Sequence, residues 1–195
     1  MLLSHGVVEF GGFREMQRMA NGGWRLARGL VILGAASLAA CAGDRDPPAS
    51  GEPSFYQSMA SASAKVDAAM AASMISGYRR SNSLGAVTID PTLMRLAEEQ
   101  ARAMASRDKL DHDVGRGFTA RMSASGYDAR VAVENIGAGY HTLAQAFSGW
   151  RDSPPHRVNM LNRDATQMGI AAVYSPKSKY KVFWALIMAA PDRRS

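Results

Sequence analysis

The feature that most constrains the fold is a change in apolar period along the chain. Up to residue 152 the apolar residues recur three and four apart, as in Val66, Ala69, Met70, Met74 and Ile75 or Leu143, Phe147 and Trp150. That spacing is one face of a helix. Near the C-terminus they run together instead, in QMGIAAVYS and YKVFWALIMAA, with the turn-like PKSK between them. Two strand-length apolar runs joined by a Pro-bearing turn predict an antiparallel hairpin. Helices followed by a hairpin predict an α+β layered domain.

Local signals place the elements. A first helix is expected over about residues 64–80, ended by Gly77 and Asn82-Ser83. A second is expected over about 91–107, with Asp90 as N-cap, Pro91 at the first helical position and Leu93, Leu96, Ala97, Ala101 and Met104 on one face. KLDHDVGRG reads as a loop, FTARMSASGY as a short helix closed by Gly126, and Ala132–Ile136 as extended or turn-like. Thr142 starts a further helix that ends before Pro154-Pro155. Those two prolines hold the backbone stiffly up to His156, one of four histidines.

The N-terminus reads as an address. Arg25 and Arg28 precede an uncharged stretch, Gly29 to Ala40, that ends in LAAC at residues 38–41. A basic region, a short apolar region and small residues make an export signal, too short to span a bilayer. LAAC resembles the lipobox of bacterial lipoproteins, which implies that Cys41 becomes the acylated N-terminus of the mature protein, anchored stably by several chains. The segment before Met16 fits no signal template, so translation is expected to start at Met16 or Met19. Ala42 in place of Asp points by the same resemblance to the periplasmic face of the outer membrane. Residues 1–40 are thus expected to be an export signal, 41–63 a flexible Pro- and Ser-rich tether, and 64–191 the domain. The lone cysteine excludes an internal disulfide, and the net charge of +6 is spread without a basic block. Nucleic acid is therefore not an expected partner, and a monomer is expected.

GYRRSNSLGAVTIDPTLMRLAEEQARAMA, LDHD, GFTARMSASGY, AVENIGAGY, GWRDSPPHRVNMLN and QMGIAAVY follow one another as in bacterial members of the CAP superfamily, or SCP domains. That superfamily takes its name from cysteine-rich secretory proteins, insect venom antigens and plant pathogenesis-related proteins. The resemblance spans about residues 66–190 and is carried above all by W-x-x-S-P-x-H-R-x-N-x-L with E-N-I upstream. It implies an α-β-α sandwich, a small antiparallel sheet between helical layers. It also implies a cleft where His112, Glu134 and His156 meet, with the prolines fixing His156 toward it. Two departures stand out: Asp152 and Ser153 occupy the region where eukaryotic relatives carry a second glutamate, and Ala185-Leu186 replaces a Thr-Gln pair.

The chemistry stays open on these residues. His112 and His156 are candidate ligands of a divalent cation (zinc, magnesium or calcium), and Glu134 is a candidate base. Equally, Glu134 accepting from both histidines would be a satisfied structural network. Ser153 is either a nucleophile or the cap of the turn into Pro154, and Asp111 and Asp113 either orient His112 or solvate its loop. Asn135 and Asn159 are expected to bond backbone around the cleft, Phe147, Trp150 and Trp184 to fill the core, and His141 to be exposed. The leading expectation is a lipid-anchored envelope protein that binds a lipid or cell-wall component. The alternatives are a metal-assisted hydrolase of envelope peptides or glycans and a structural interaction module.

Overall fold

A computed structural model describes residues 51–192. The expected signal, Met16, Met19 and the lipobox Cys41 lie outside the described residues. Among the described residues five α-helices flank four strands: α1 Ala68–Ser81, β1 Thr88–Ile89, α2 Pro91–Arg107, α3 Phe118–Ala124, β2 Ala129–Ala138, α4 Leu143–Asp152, α5 Pro154–Met160, β3 Gln167–Tyr174 and β4 Val182–Pro191. The sheet order is β1-β3-β4-β2.

The expected hairpin is β3 and β4, antiparallel with Gln167 opposite Ala189 and Tyr174 opposite Val182. β4 lies between β3 and β2, which explains its unbroken apolar run: a strand covered on both faces has no polar side. Val182, Trp184, Leu186 and Met188 face one core with Ala71 and Ile75 of α1, Ala146 and Trp150 of α4, and Met160 of α5. The alternate residues Phe183, Ala185, Ile187 and Ala189 face a second core with Leu93, Leu96, Ala97 and Ala101 of α2 and Met122 of α3. Two helical layers on one sheet make the expected α-β-α sandwich. The sheet differs from expectation in being mixed, because Thr88 and Ile89 pair parallel to Gln167 and Met168. A two-residue strand has too short a pattern to be read from sequence.

α2 has the expected bounds, with the Asp90 carboxylate accepting from the Leu93 amide at 2.9 Å. α1 starts later than the apolar pattern, because Asp67 caps it and accepts from the Met70 amide at 2.9 Å. The expected tether also ends earlier than residue 63. Ser54 donates to Asp67 at 2.7 Å, the Met59 amide donates to the His141 carbonyl at 2.7 Å, and Met59 is buried in the first core. Phe55 packs against the same core, so two apolar side chains in a polar stretch suffice to dock it. β2 is a ten-residue strand rather than the five residues Ala132–Ile136 expected, and α5 occupies a segment read only as stiff.

Arg79 fixes the segment that follows α5. Its buried guanidinium donates to the carbonyls of Gly85, Met160, Asn162 and Ala165 at 2.8 to 2.9 Å. This ties the end of α1 to the end of α5 and so seats the helix that bears His156.

Candidate functional site

The site forms at β2, the strand at the sheet's outer edge. Successive β2 side chains point to opposite faces, so Glu134 lies on the α2–α3 face while Asn135 lies on the α5 face. The exposed carbonyl edge of β2 is covered by side chains: Trp150 Nε1 donates to the Ile136 carbonyl at 3.1 Å and Asn159 Nδ2 to the Glu134 carbonyl at 3.1 Å. Asn159 Nδ2 also donates to Asn135 Oδ1, and Asn135 Nδ2 donates to the His156 carbonyl, both at 2.9 Å. The two asparagines thus bind α5 to the edge strand through backbone groups, as expected.

Glu134 is the buried centre. Its side chain is 1% exposed, with Oε1 accepting from His112 Nδ1 at 2.8 Å and Oε2 from Arg121 Nη2 at 2.7 Å. His112 comes from the loop before α3 and is 49% exposed, so it covers the ion pair and meets solvent. Asp111 and Asp113 do not orient its ring. Asp111 instead pairs with Lys109 at 2.6 Å and accepts from the Asp113 amide at 3.0 Å, and those contacts hold its carboxyl below the usual range.

His156 sits at the third position of α5, which begins with Pro154 at its first. Proline is pre-shaped for that position, so the pair starts a helix rather than prolonging a stiff strand. His156 Nδ1 lies 2.9 Å from Ser153 Oγ. That contact replaces the turn cap expected of Ser153, whose side chain makes no capping bond to α5. Burial, and then the nearby charge of His112, hold the His156 imidazole below its ordinary value. His112 touches Glu134 directly, and His156 stands on the helix that Asn135 and Asn159 bond to the strand bearing Glu134. Asp152 is not joined to them: its 64% exposed carboxylate pairs with Arg151, at 2.8 Å from Nε, and this hydrogen bond holds it below the usual carboxylate range. His141 is exposed, Trp150 and Trp184 are core, and Phe147 is partly buried against it.

Each cleft imidazole spends Nδ1 inside the fold, and neither Nε2 has a partner among the described residues. A carboxylate behind an imidazole is the arrangement that orients a metal ligand. Yet both Glu134 oxygens are taken, and among the described residues no group of three or more His, Cys, Asp or Glu is placed to hold a metal ion. The donor set therefore does not fit a centre with three protein ligands.

Sequence reasoning missed Arg121. The signal was present: Phe118, Arg121 and Met122 share one face of α3, and a charge on an apolar face calls for a buried partner.

Helices on both faces of a small sheet, with Glu134 buried on its edge strand between His112 and Arg121, define an SCP-type α-β-α domain. The model of the Cysteine-rich secretory protein family (CAP) matches residues 72–188, and the chain belongs to that family. Over 100 residues it is 31% identical to the uncharacterized protein YkwD of Bacillus subtilis, a match covering 50% of this chain and 38% of that protein. An extracellular protein containing an SCP domain from Bacillus anthracis superposes with a TM-score of 0.54 at 22% identity, over 62% of this chain and 39% of that one. An outer surface protein from Borrelia burgdorferi superposes with a TM-score of 0.57 at 20% identity, over 66% of this chain and 98% of that one. These structural likenesses establish the fold.

Proposed function

We propose that this is an exported, lipid-anchored protein of the bacterial cell envelope whose CAP domain binds a lipid or cell-wall component in the cleft beside β2. The observation that carries the reading is the pair of unspent Nε2 atoms on rings already fixed through Nδ1. Side chains ordered before a ligand arrives save the cost of ordering them on binding. The cleft takes one ligand per monomeric chain, without nucleic acid. A zinc, magnesium or calcium ion would meet the same two nitrogens, its other positions left to water or ligand.

Support for export comes from the signal-like residues 24–41 and from relatives described as extracellular and outer surface proteins. In this reading acylation at Cys41 anchors the chain, and Ala42 in place of Asp favours the periplasmic face of the outer membrane. Labelled palmitate should enter the wild type and not Cys41→Ser; equal labelling of both removes the anchor.

One contact favours a hydrolase instead, the 2.9 Å approach of Ser153 Oγ to His156 Nδ1. A serine beside an imidazole is an activated nucleophile in the right setting. The setting here is poor, because Pro154 and Pro155 lack the backbone N–H groups that would stabilise an oxyanion at the start of α5. The full chain is to be incubated with phospholipid vesicles and with peptidoglycan fragments, reading both melting temperature and product. Stabilisation without product, reduced in His112→Ala and His156→Ala, is expected. Product formation lost in Ser153→Ala would establish the hydrolase.

A further inference from the structure

The cleft rests on a buried cation for which the binding reading has no use. Arg121 is 2% exposed and its guanidinium lies 5.4 Å from the centre of the Phe118 ring. Nε donates to the Arg116 carbonyl at 3.1 Å, and Nη2 donates to Glu134 Oε2 at 2.7 Å and to the His112 carbonyl at 3.4 Å. One side chain thus grips the loop at both Arg116 and His112, and grips the facing strand at Glu134.

We propose that Arg121 is the positioning residue of the cleft: by holding Glu134 Oε2 and the His112 loop together, it fixes His112 with its hydrogen on Nδ1 and its Nε2 lone pair toward the cleft. A carboxylate with one oxygen held by a short charge-assisted bond presents its other oxygen in one direction. That oxygen faces His112 Nδ1 at 2.8 Å. An ionised carboxylate only accepts, so the hydrogen between them belongs to the imidazole, and the opposite nitrogen is left as an acceptor or ligand. The planar fork of arginine reaches separate acceptors together, which the single ammonium of lysine does not match. Gln100 holds the same loop differently. Its Nε2 donates to the carbonyls of Asp111 at 2.8 Å and His112 at 3.4 Å, and it has no bond to Glu134. It therefore separates loosening of the loop from loss of ring control.

The inference concerns the site proposed above to bind ligand, but the tautomer of His112 is measurable in the free protein and stands whether or not a ligand is found. The test is a long-range proton–nitrogen spectrum of the full chain labelled with 15N-histidine, with His112 assigned by His112→Gln and exposed His141 as internal reference. Wild type should show His112 as the Nδ1–H form. Arg121→Met should lose that signature, the ring passing to the Nε2–H form or gaining a second proton, while Gln100→Ala keeps it. An unchanged His112 signature in Arg121→Met overturns the proposal. Should that variant not fold, Arg121→Lys takes its place: it keeps the charge but cannot hold Glu134 and the His112 carbonyl together, so loss of the Nδ1–H signature is expected and its retention overturns the proposal.

Discussion

At the scale of single residues, the cleft is stabilised from beneath rather than at its surface. Glu134 and Arg121 are both nearly fully buried, and removing one partner strands the other charge in a poorly solvated place. Glu134→Ala should therefore cost about 3–5 kcal/mol in denaturant unfolding, the range for a broken buried pair. His112→Ala, which removes a half-exposed ring, should cost about 1 kcal/mol or less. Equal costs would show that Glu134 is not the buried anchor. His156 supplies a pH dependence. Burial and the charge of His112 hold it below the ordinary 6.5, so the folded chain binds its proton less readily than the unfolded chain. Its contribution is complete above about pH 6.5 and is lost as pH falls through the lower folded value. Melting scans from pH 7.5 down to 5 should show a decline that His156→Gln flattens. His112, Glu134 and His156 were legible because they sit in distinctive motifs. Arg121 carries only the weaker mark of a charge on an apolar helix face, and the pairing of Asp152 with its neighbour Arg151 has no signature in the motif.

At the scale of elements, backbone contact decides more than side-chain pattern. A Cβ at Gly169 would lie 2.1 Å from the Leu93 carbonyl carbon and 2.2 Å from the Met94 nitrogen, so the start of α2 rests directly on β3 there. No rotamer change relieves a clash with backbone, and Gly169→Ala should cost about 3 kcal/mol, the upper part of the overpacking range. Unaltered thermal unfolding of that variant would mean that α2 sits farther from the sheet. The same logic explains what was legible. α2 has a clean stripe, a cap and a first-turn proline, and its bounds were readable to the residue. α5 has one fully buried apolar residue, Met160, and is held by Asn135 and Arg79 from elsewhere in the chain and by its own Asn159 reaching the Glu134 carbonyl, so no local period announced it. β1 exists because the Thr88 and Asp90 amides find the carbonyls of Thr166 and Met168, a pairing that no window of sequence contains.

At the scale of the molecule, the period change near the C-terminus foretold a layered α+β domain, and β4 with its two oppositely facing apolar sets is why the domain has two cores around one sheet. The candidate site lies where that sheet ends, at the strand whose outer edge is closed by Trp150 and Asn159 rather than by another strand. The proposed ligand contact at this edge is through the Nε2 atoms of His112 and His156. The most direct measurement follows the histidine side-chain resonances of the 15N-histidine-labelled full chain while phospholipid vesicles, and separately peptidoglycan fragments, are added. The account predicts that one of these probes moves the Nε2 signals of His112 and His156 together and leaves that of exposed His141 in place. Probes that stabilise the chain while neither cleft signal moves, or that leave the protein wholly unaffected, would contradict it.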